Sequence, residues 1–254
     1  MGSGSESSRR GPGRNVRTAV VWDILSAILP DPGQVVVDAG GGTGGFAVPL
    51  AEAGHKVTVV DPSPDSLAAL QRRAAERSLD VAALQGDLGD LPSLVPPGSA
   101  DLVLCHSVLE FVDEPAEALA SVAGVLRSGG RLSLLVANRD AVVLARALAG
   151  RPDEAAQALT DPDGRWGGAD GTPRRWTPAG LSALVEAAGL VVEQVHGVRC
   201  LSDLVPSAVL DGDTGATRGD TGAHAALLAL ERRLSDQPPF RDLATQVHLL
   251  ARKP

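Results

Sequence analysis

The residues best suited to chemistry sit in one short run, Val35-Val36-Val37-Asp38-Ala39-Gly40-Gly41-Gly42-Thr43-Gly44-Gly45. Apolar β-branched residues lead into an acid, and the acid leads into a turn packed with glycine. Phe46 to Ala53 follows with helical character. A strand, a tight loop and a helix start, in that order, let a ligand approach backbone atoms that any Cβ would block. Asp38 stands at the strand end, where a carboxylate meets a cationic group. A second strand, Lys56 to Val60, ends in Asp61. An acid there is placed to accept hydrogen bonds from ribose hydroxyls.

The glycines fit two patterns. Gly40, Gly42 and Gly45 match the dinucleotide spacing G-x-G-x-x-G, and Asp38, Gly40, Gly42 and Gly44 match D-x-G-x-G-x-G, the first motif of class I S-adenosylmethionine (SAM) methyltransferases. Asp38 discriminates between them. A carboxylate facing the pyrophosphate of NAD is repulsive, whereas SAM brings an ammonium and a sulfonium. Asp61 serves either nucleoside. The expected cofactor residues are therefore Asp38, Gly40, Gly41, Gly42 and Asp61. In Gln85-Gly86-Asp87-Leu88, Asp87 is placed to accept from an adenine amino group, with Asp90 as its rival. His106, in Cys105-His106-Ser107, falls near the methyl donor. Arg17 is placed to fold over the SAM carboxylate as a bidentate partner.

Alternating elements must position these residues. Helical spacing runs over Arg14–Leu29 and stops at Pro30 and Pro32. Strands are expected at Val35–Ala39, Lys56–Asp61, Val81–Gln85, Asp101–Cys105, Arg131–Ala137, Leu190–Val198 and Ala244–Ala251. Helices are expected at Phe46–Ala53, Ser66–Ser78 (capped by Ser63 or Asp65), Pro115–Leu126, Thr177–Ala188 and Ala223–Ser235. Such repetition implies an α/β fold built on a mostly parallel, seven-stranded Rossmann-like sheet, with helices on both faces and ligands at the carboxyl ends of the strands. Residues 138–176 interrupt the pattern with one helix, Ala141–Ala149, and a loop rich in Gly, Asp, Pro and Arg. That segment reads as a substrate lid inserted after strand five. Residues 1–14 read as a flexible tail, 15–254 as a single domain, and Asp211–Thr221 as a mobile loop.

Composition sets looser limits. The 254 residues are 44% hydrophobic and carry a net charge of −8, which gives no global attraction to nucleic acid. A local rim of Arg146, Arg151, Arg174 and Arg175 could still bind phosphate. Only Lys56 and Lys253 are lysines, and tyrosine is absent. Cys105 and Cys200 have no metal-ligand spacing and suit reduced, buried residues of a cytoplasmic protein. No metal is expected, and no apolar run approaches a membrane span.

The stretch DLVLCHSVLEFVDEPAEAL, with VLRSGGRLSLLVANRDAVVLARALAG after it, resembles the tRNA 5-carboxymethoxyuridine methyltransferases. The likeness extends to Arg17-Thr18-Ala19-Val20-Val21-Trp22, to Gly197-Val198-Arg199, and to the tail from Ala226 through Glu231, Gln237-Pro238-Pro239-Phe240 and His248 to Pro254. That family methylates the carboxylate of a modified wobble uridine. The resemblance implies SAM contacts at Arg17, Gly40, Gly41, Asp61, Asp87-Leu88 and His106. It implies substrate contacts around Asn138, Arg174, Arg175 and Arg199, with Arg199 and Asn138 as the catalytic candidates. The chain departs from the family at Val136-Ala137 and at Cys200-Leu201-Ser202, where aromatic residues or His are usual. Lost aromatics are lost stacking surface for a base. Three readings stand: a SAM-dependent methyltransferase of modified tRNA, a SAM-dependent methyltransferase of a small metabolite, and a nucleotide binder of another class (an NAD-dependent oxidoreductase or a non-catalytic SAM binder).

Overall fold

The computed structural model describes residues 15–205 and 221–254. The expected tail 1–14 and, apart from Thr221, the expected loop 211–221 lie outside the described residues. One sheet holds seven strands: β1 (Val35–Ala39), β2 (Lys56–Asp61), β3 (Val81–Gln85), β4 (Ala100–His106), β5 (Leu126–Ala137), β6 (Val191–Val198) and β7 (Gln246–Arg252). Their order is β3-β2-β1-β4-β5-β7-β6. The first five strands pair in parallel, and β7 runs antiparallel to both β5 and β6. Alternating elements reveal the strands but not the reversal at β7. Five consecutive buried positions, Val247–Ala251, read the same in either direction.

The helices are α1 (Ala19–Ile28), α2 (Ala47–Glu52), α3 (Pro64–Ala75), α4 (Leu91–Leu94), α5 (Pro115–Val125), α6 (Arg139–Leu148), α7 (Pro152–Thr160), α8 (Pro178–Ala187) and α9 (Thr221–Leu234). Ser63 caps α3 by accepting from Ser66 N at 3.2 Å. Successive strand residues face opposite sides, which sorts the core. Val37, Ala39 and Val103 pack with α4, α5 and α8; Val36, Leu102 and Leu104 pack with α1, α2 and α3. Asp38 and His106 share the parity of the second set. They therefore lie on the face that α1, α2 and α3 cover, at the carboxyl edge. None of the described helices is long and apolar enough to cross a membrane.

Residues 138–176 are more ordered than a loop. They hold two helices, α6 and α7, where sequence periodicity shows one. The core-facing side of α7 is only Ala155 and Ala158, too small to register as an apolar stripe. Asn138 and Trp176 form a bridge that closes the segment at its base. Its loop is held by Arg175, whose guanidinium donates to both oxygens of Asp170 at 2.7 and 2.9 Å. Both side chains are buried, at 8% and 2% exposure. Burial raises the Asp170 pKa, but hydrogen bonds from Arg175, Thr172 and Trp166 outweigh it and hold the carboxyl down at about 2. Arg146 stacks on Trp166, 3.7 Å from the ring centre.

Removing one partner of a buried pair strands the other charge. Asp170→Ala is expected to cost this segment about 3–5 kcal/mol of local stability. Limited proteolysis should then cut within 138–176 faster, while SAM binding, measured in parallel, persists. Unchanged cleavage would show that the pair does not hold the segment.

Candidate functional site

A cleft of about 290 Å³ opens at the carboxyl edge of β1 and β4. It is lined by Arg17, Thr18, Asp38, Gly40, Gly41, Gly45, Phe46, His106, Ser107, Leu135, Arg199 and Gln246. Five chain segments far apart in sequence thus meet the glycine loop: the residues before α1, the end of β4, Leu135 of β5, the residue after β6, and the start of β7.

The loop geometry explains its glycines. Gly40 has φ +78°, and a Cβ there would fall inside the Val108 side chain. A Cβ on Gly41 would lie 2.5 Å from Oδ2 of Asp38. Both positions therefore exclude side chains, for conformational and steric reasons. Gly42 N donates to Oδ2 of Asp61 at 2.8 Å, and Ser63 N donates to its Oδ1 at 2.9 Å. Asp61 fixes the loop while keeping lone pairs for further donors.

Asp38 is 3% exposed, and its Oδ2 has no partner among the described residues. Burial, reinforced by the nearby Asp61 carboxylate, pushes its carboxyl up to about 7 against the opposing pull of the Ala47 N–H. A buried acid with an unmatched oxygen favours a cationic ligand at its side.

His106 is held as a neutral ring. Burial depresses it to about 3. Its Nε2 lies 2.9 Å from Ser133 Oγ, which lies 2.8 Å from Nε2 of His248. The Ser133 hydroxyl thus bridges the Nε2 atoms of the two rings. His248 in turn lies 5.7 Å from the His196 ring. Phe46 meets His106 edge-on at 4.7 Å and stacks on Trp22 at 4.8 Å. A neutral imidazole adds no repulsion beside a cation.

Arg199 adopts φ +64°, uncommon for a residue with a side chain. Its guanidinium pairs with Asp203 at 2.5 Å, and its buried Nε has no partner among the described residues. Arg17 is exposed at the cleft mouth.

The cleft therefore unites Arg17, Asp38, Gly40, Gly41, His106 and Arg199. Gly42, Asp61, Asp87 and Leu88 do not line it. They lie beside it, on the β2 and β3 side of the same edge, where the exposed Asp87 caps its own turn by accepting from Gly89 N at 2.7 Å. Asn138 does not reach the cleft. It is 1% exposed, donates to the carbonyls of Asp242 and Ala244 at 2.8 and 2.7 Å, and accepts from Asp140 N at 3.0 Å as the cap of α6. All its polar atoms are committed, so its place is structural and the expected catalytic role is corrected. Each arginine of the expected rim has an acid partner. Arg146 and Arg151 pair with Glu154, Arg174 with Asp163, and Arg175 with Asp170. Phe46, Ser107 and Gln246 were not legible as site residues. Of these, only Phe46, the first residue after the glycines, carries a local signal. Among the described residues no cluster of His, Cys, Asp and Glu is arranged to hold a metal.

A methyltransferase-domain family model matches residues 37–134. The tRNA 5-carboxymethoxyuridine methyltransferase of Escherichia coli (strain K12) is 31% identical over 245 residues, covering 94% of this chain and 88% of that protein. The chain belongs to this family of SAM-dependent methyltransferases. A ubiquinone biosynthesis O-methyltransferase of Xanthomonas campestris is 32% identical over 128 residues, half of this chain and 53% of its own. Among solved structures, magnesium protoporphyrin IX methyltransferase from Synechocystis PCC 6803, with bound S-adenosylhomocysteine, shares the fold. Its TM-score is 0.58 at 19% identity, over 100% of this chain and 90% of that one. A methyltransferase in complex with the Haloferax volcanii Trm112 activator gives a TM-score of 0.60 at 20% identity, over 94% and 90% of the two chains. SAM is the cofactor of this methyltransferase, and the residues present fit it: an acid with an unmatched oxygen beside a glycine cradle that side chains would fill.

With its folded pKa raised to about 7, Asp38 without ligand stabilises the fold most below pH ~4 and loses that contribution as pH rises through 7. A bound cation pulls the carboxyl back down. SAM affinity of the methyltransferase is expected to rise with pH to about 7 and then level off, with proton release on binding near about pH 6.5. Calorimetry in two buffers of different ionisation enthalpy reads this directly, and Asp38→Asn should abolish it. Identical apparent enthalpies for the unaltered protein would rule the idea out.

Proposed function

We propose that the enzyme methylates a carboxylate, that of a 5-carboxymethoxyuridine-type wobble base in tRNA, by direct in-line transfer. The observation that carries this reading is Arg199, set in a left-handed conformation at the cleft with an unpartnered buried Nε. A guanidinium is the side chain best suited to hold a carboxylate. The E. coli relative, named for this substrate, supports the acceptor class.

Bound SAM supplies an electrophilic methyl on a sulfonium. Asp38 would hold its positive groups, Arg17 its carboxylate, and Asp61 its ribose hydroxyls. The Asp87-Leu88 turn would take the adenine. His106, neutral and hydrogen-bonded to Ser133, would lie on the side of the methyl donor. Arg199 would hold the acceptor carboxylate in the cleft. A carboxylate is ionised and nucleophilic at neutral pH, so no side chain has to remove a proton, and the enzyme's contribution is proximity and alignment. Residues 138–176 serve as the substrate lid.

A second reading is a small carboxylate metabolite as acceptor. The pairing of Arg146, Arg151, Arg174 and Arg175 with acids favours it, because those side chains are engaged away from phosphate.

Arg199→Ala is expected to raise KM for an anticodon stem-loop carrying 5-carboxymethoxyuridine by roughly 10- to 100-fold, as for loss of a charge-assisted bond of about 1.5–3 kcal/mol. SAM affinity should stay unchanged. Equal KM for the variant and the parent would remove Arg199 from acceptor binding.

A further inference from the structure

Arg199 is presented by a strained backbone, and strain of this kind persists only where the surroundings over-determine it. Its own carbonyl accepts from Thr245 N at 3.2 Å. The next three backbone N–H groups all converge on a single side chain. Glu231, on α9, accepts from Cys200 N through Oε2 at 2.8 Å, and from Leu201 N and Ser202 N through Oε1 at 2.9 and 2.6 Å. Glu231 is fully buried. Three successive amides aimed at one point form an anion-binding concavity, and here the anion belongs to the protein.

We propose that Glu231 is the positioning residue for Arg199: its carboxylate folds residues 200–202 around itself and so fixes the direction in which Arg199 enters the cleft. The proposal rests on the reading that Arg199 holds the acceptor. Simple satisfaction of buried amides would not require the amides to follow directly on the one left-handed arginine that lines the cleft. The same helix also contacts α1. Arg232, the next residue on α9, pairs with both oxygens of Asp23 on α1 at 2.6 and 2.9 Å, and Arg17 lies just before α1. One helix therefore contacts both α1 and the residues that follow Arg199, with the buried Glu231 contact far stronger than the exposed Arg232 pair.

Glu231→Gln keeps the shape and replaces one accepting oxygen with a donor that opposes Cys200 N. The full chain carrying this change is compared with the parent in three measurements. SAM affinity by calorimetry is expected to stay within about twofold. KM for the 5-carboxymethoxyuridine stem-loop should rise by about 10- to 100-fold, the scale of a misplacement near 1 Å. The Nε–H resonance of Arg199 in a nitrogen-15 NMR spectrum should shift and broaden. Combining Glu231→Gln with Arg199→Ala should give a KM no higher than Arg199→Ala alone, since the first acts through the second. Additive KM effects, or an undisturbed Arg199 resonance, would overturn the proposal. Should Arg199→Ala by itself leave KM unchanged, the acceptor reading fails, and the Arg199 resonance still decides the positioning claim. Glu231→Asp, which keeps the charge and shortens its reach, is read the same way if the Gln variant does not fold.

Discussion

The unmatched oxygen of Asp38 organises the site. A buried carboxylate without a full set of donors works against folding, and the surrounding elements are arranged to leave it so. Gly41 is a glycine because a Cβ would press on that oxygen at 2.5 Å. Asp61, which binds the loop backbone, raises the Asp38 carboxyl further. His106 is kept neutral by burial and is hydrogen-bonded to Ser133. The result is a pocket in the fold whose electrostatic need is met by a cation, and the SAM methyltransferase family supplies one.

The other half of the cleft has the opposite sign. Arg17 lies just before α1 and Arg199 just after β6, and α9 contacts both α1 and residues 200–202. Arg146, Arg151, Arg174 and Arg175 are paired with acids of their own segment. Arg17 and Arg199 bring positive charge to the cleft itself. That distribution suits recognition of one carboxylate by orientation, and it places little demand on long-range attraction in a chain of net charge −8.

Much of the sheet was legible in the sequence because apolar strands and glycine turns are local signals. Asp38, Gly40 and Gly41 followed from one motif and its chemistry. Other features depend on contacts distant in sequence. The reversal of β7 leaves no mark on hydrophobic patterning. The short α7 hides behind alanines. Glu231 meets residues 200–202 across about thirty positions, so neither its helix nor the β6 segment announces the contact. Asn138 is the instructive miss. An Asn after a strand and before a helix reads as a site residue or as a cap; its Oδ1 caps α6, and the carbonyls of Asp242 and Ala244, distant in sequence, take its amide N–H groups. Gln246, across the cleft from the motif, lies 3.2 Å from Ser107 and belongs to a strand whose direction was itself hidden.

The most direct test of the account is the chemical nature of the transferred methyl. The enzyme is incubated with methyl-labelled SAM and an anticodon stem-loop carrying 5-carboxymethoxyuridine. The washed product is then treated with mild base, which cleaves methyl esters and leaves ethers and N-methyl groups intact. The account predicts label on the modified uridine, released by base as methanol. Base-stable label on the RNA, or no label on it while a small acceptor is methylated, would contradict carboxylate methylation of tRNA.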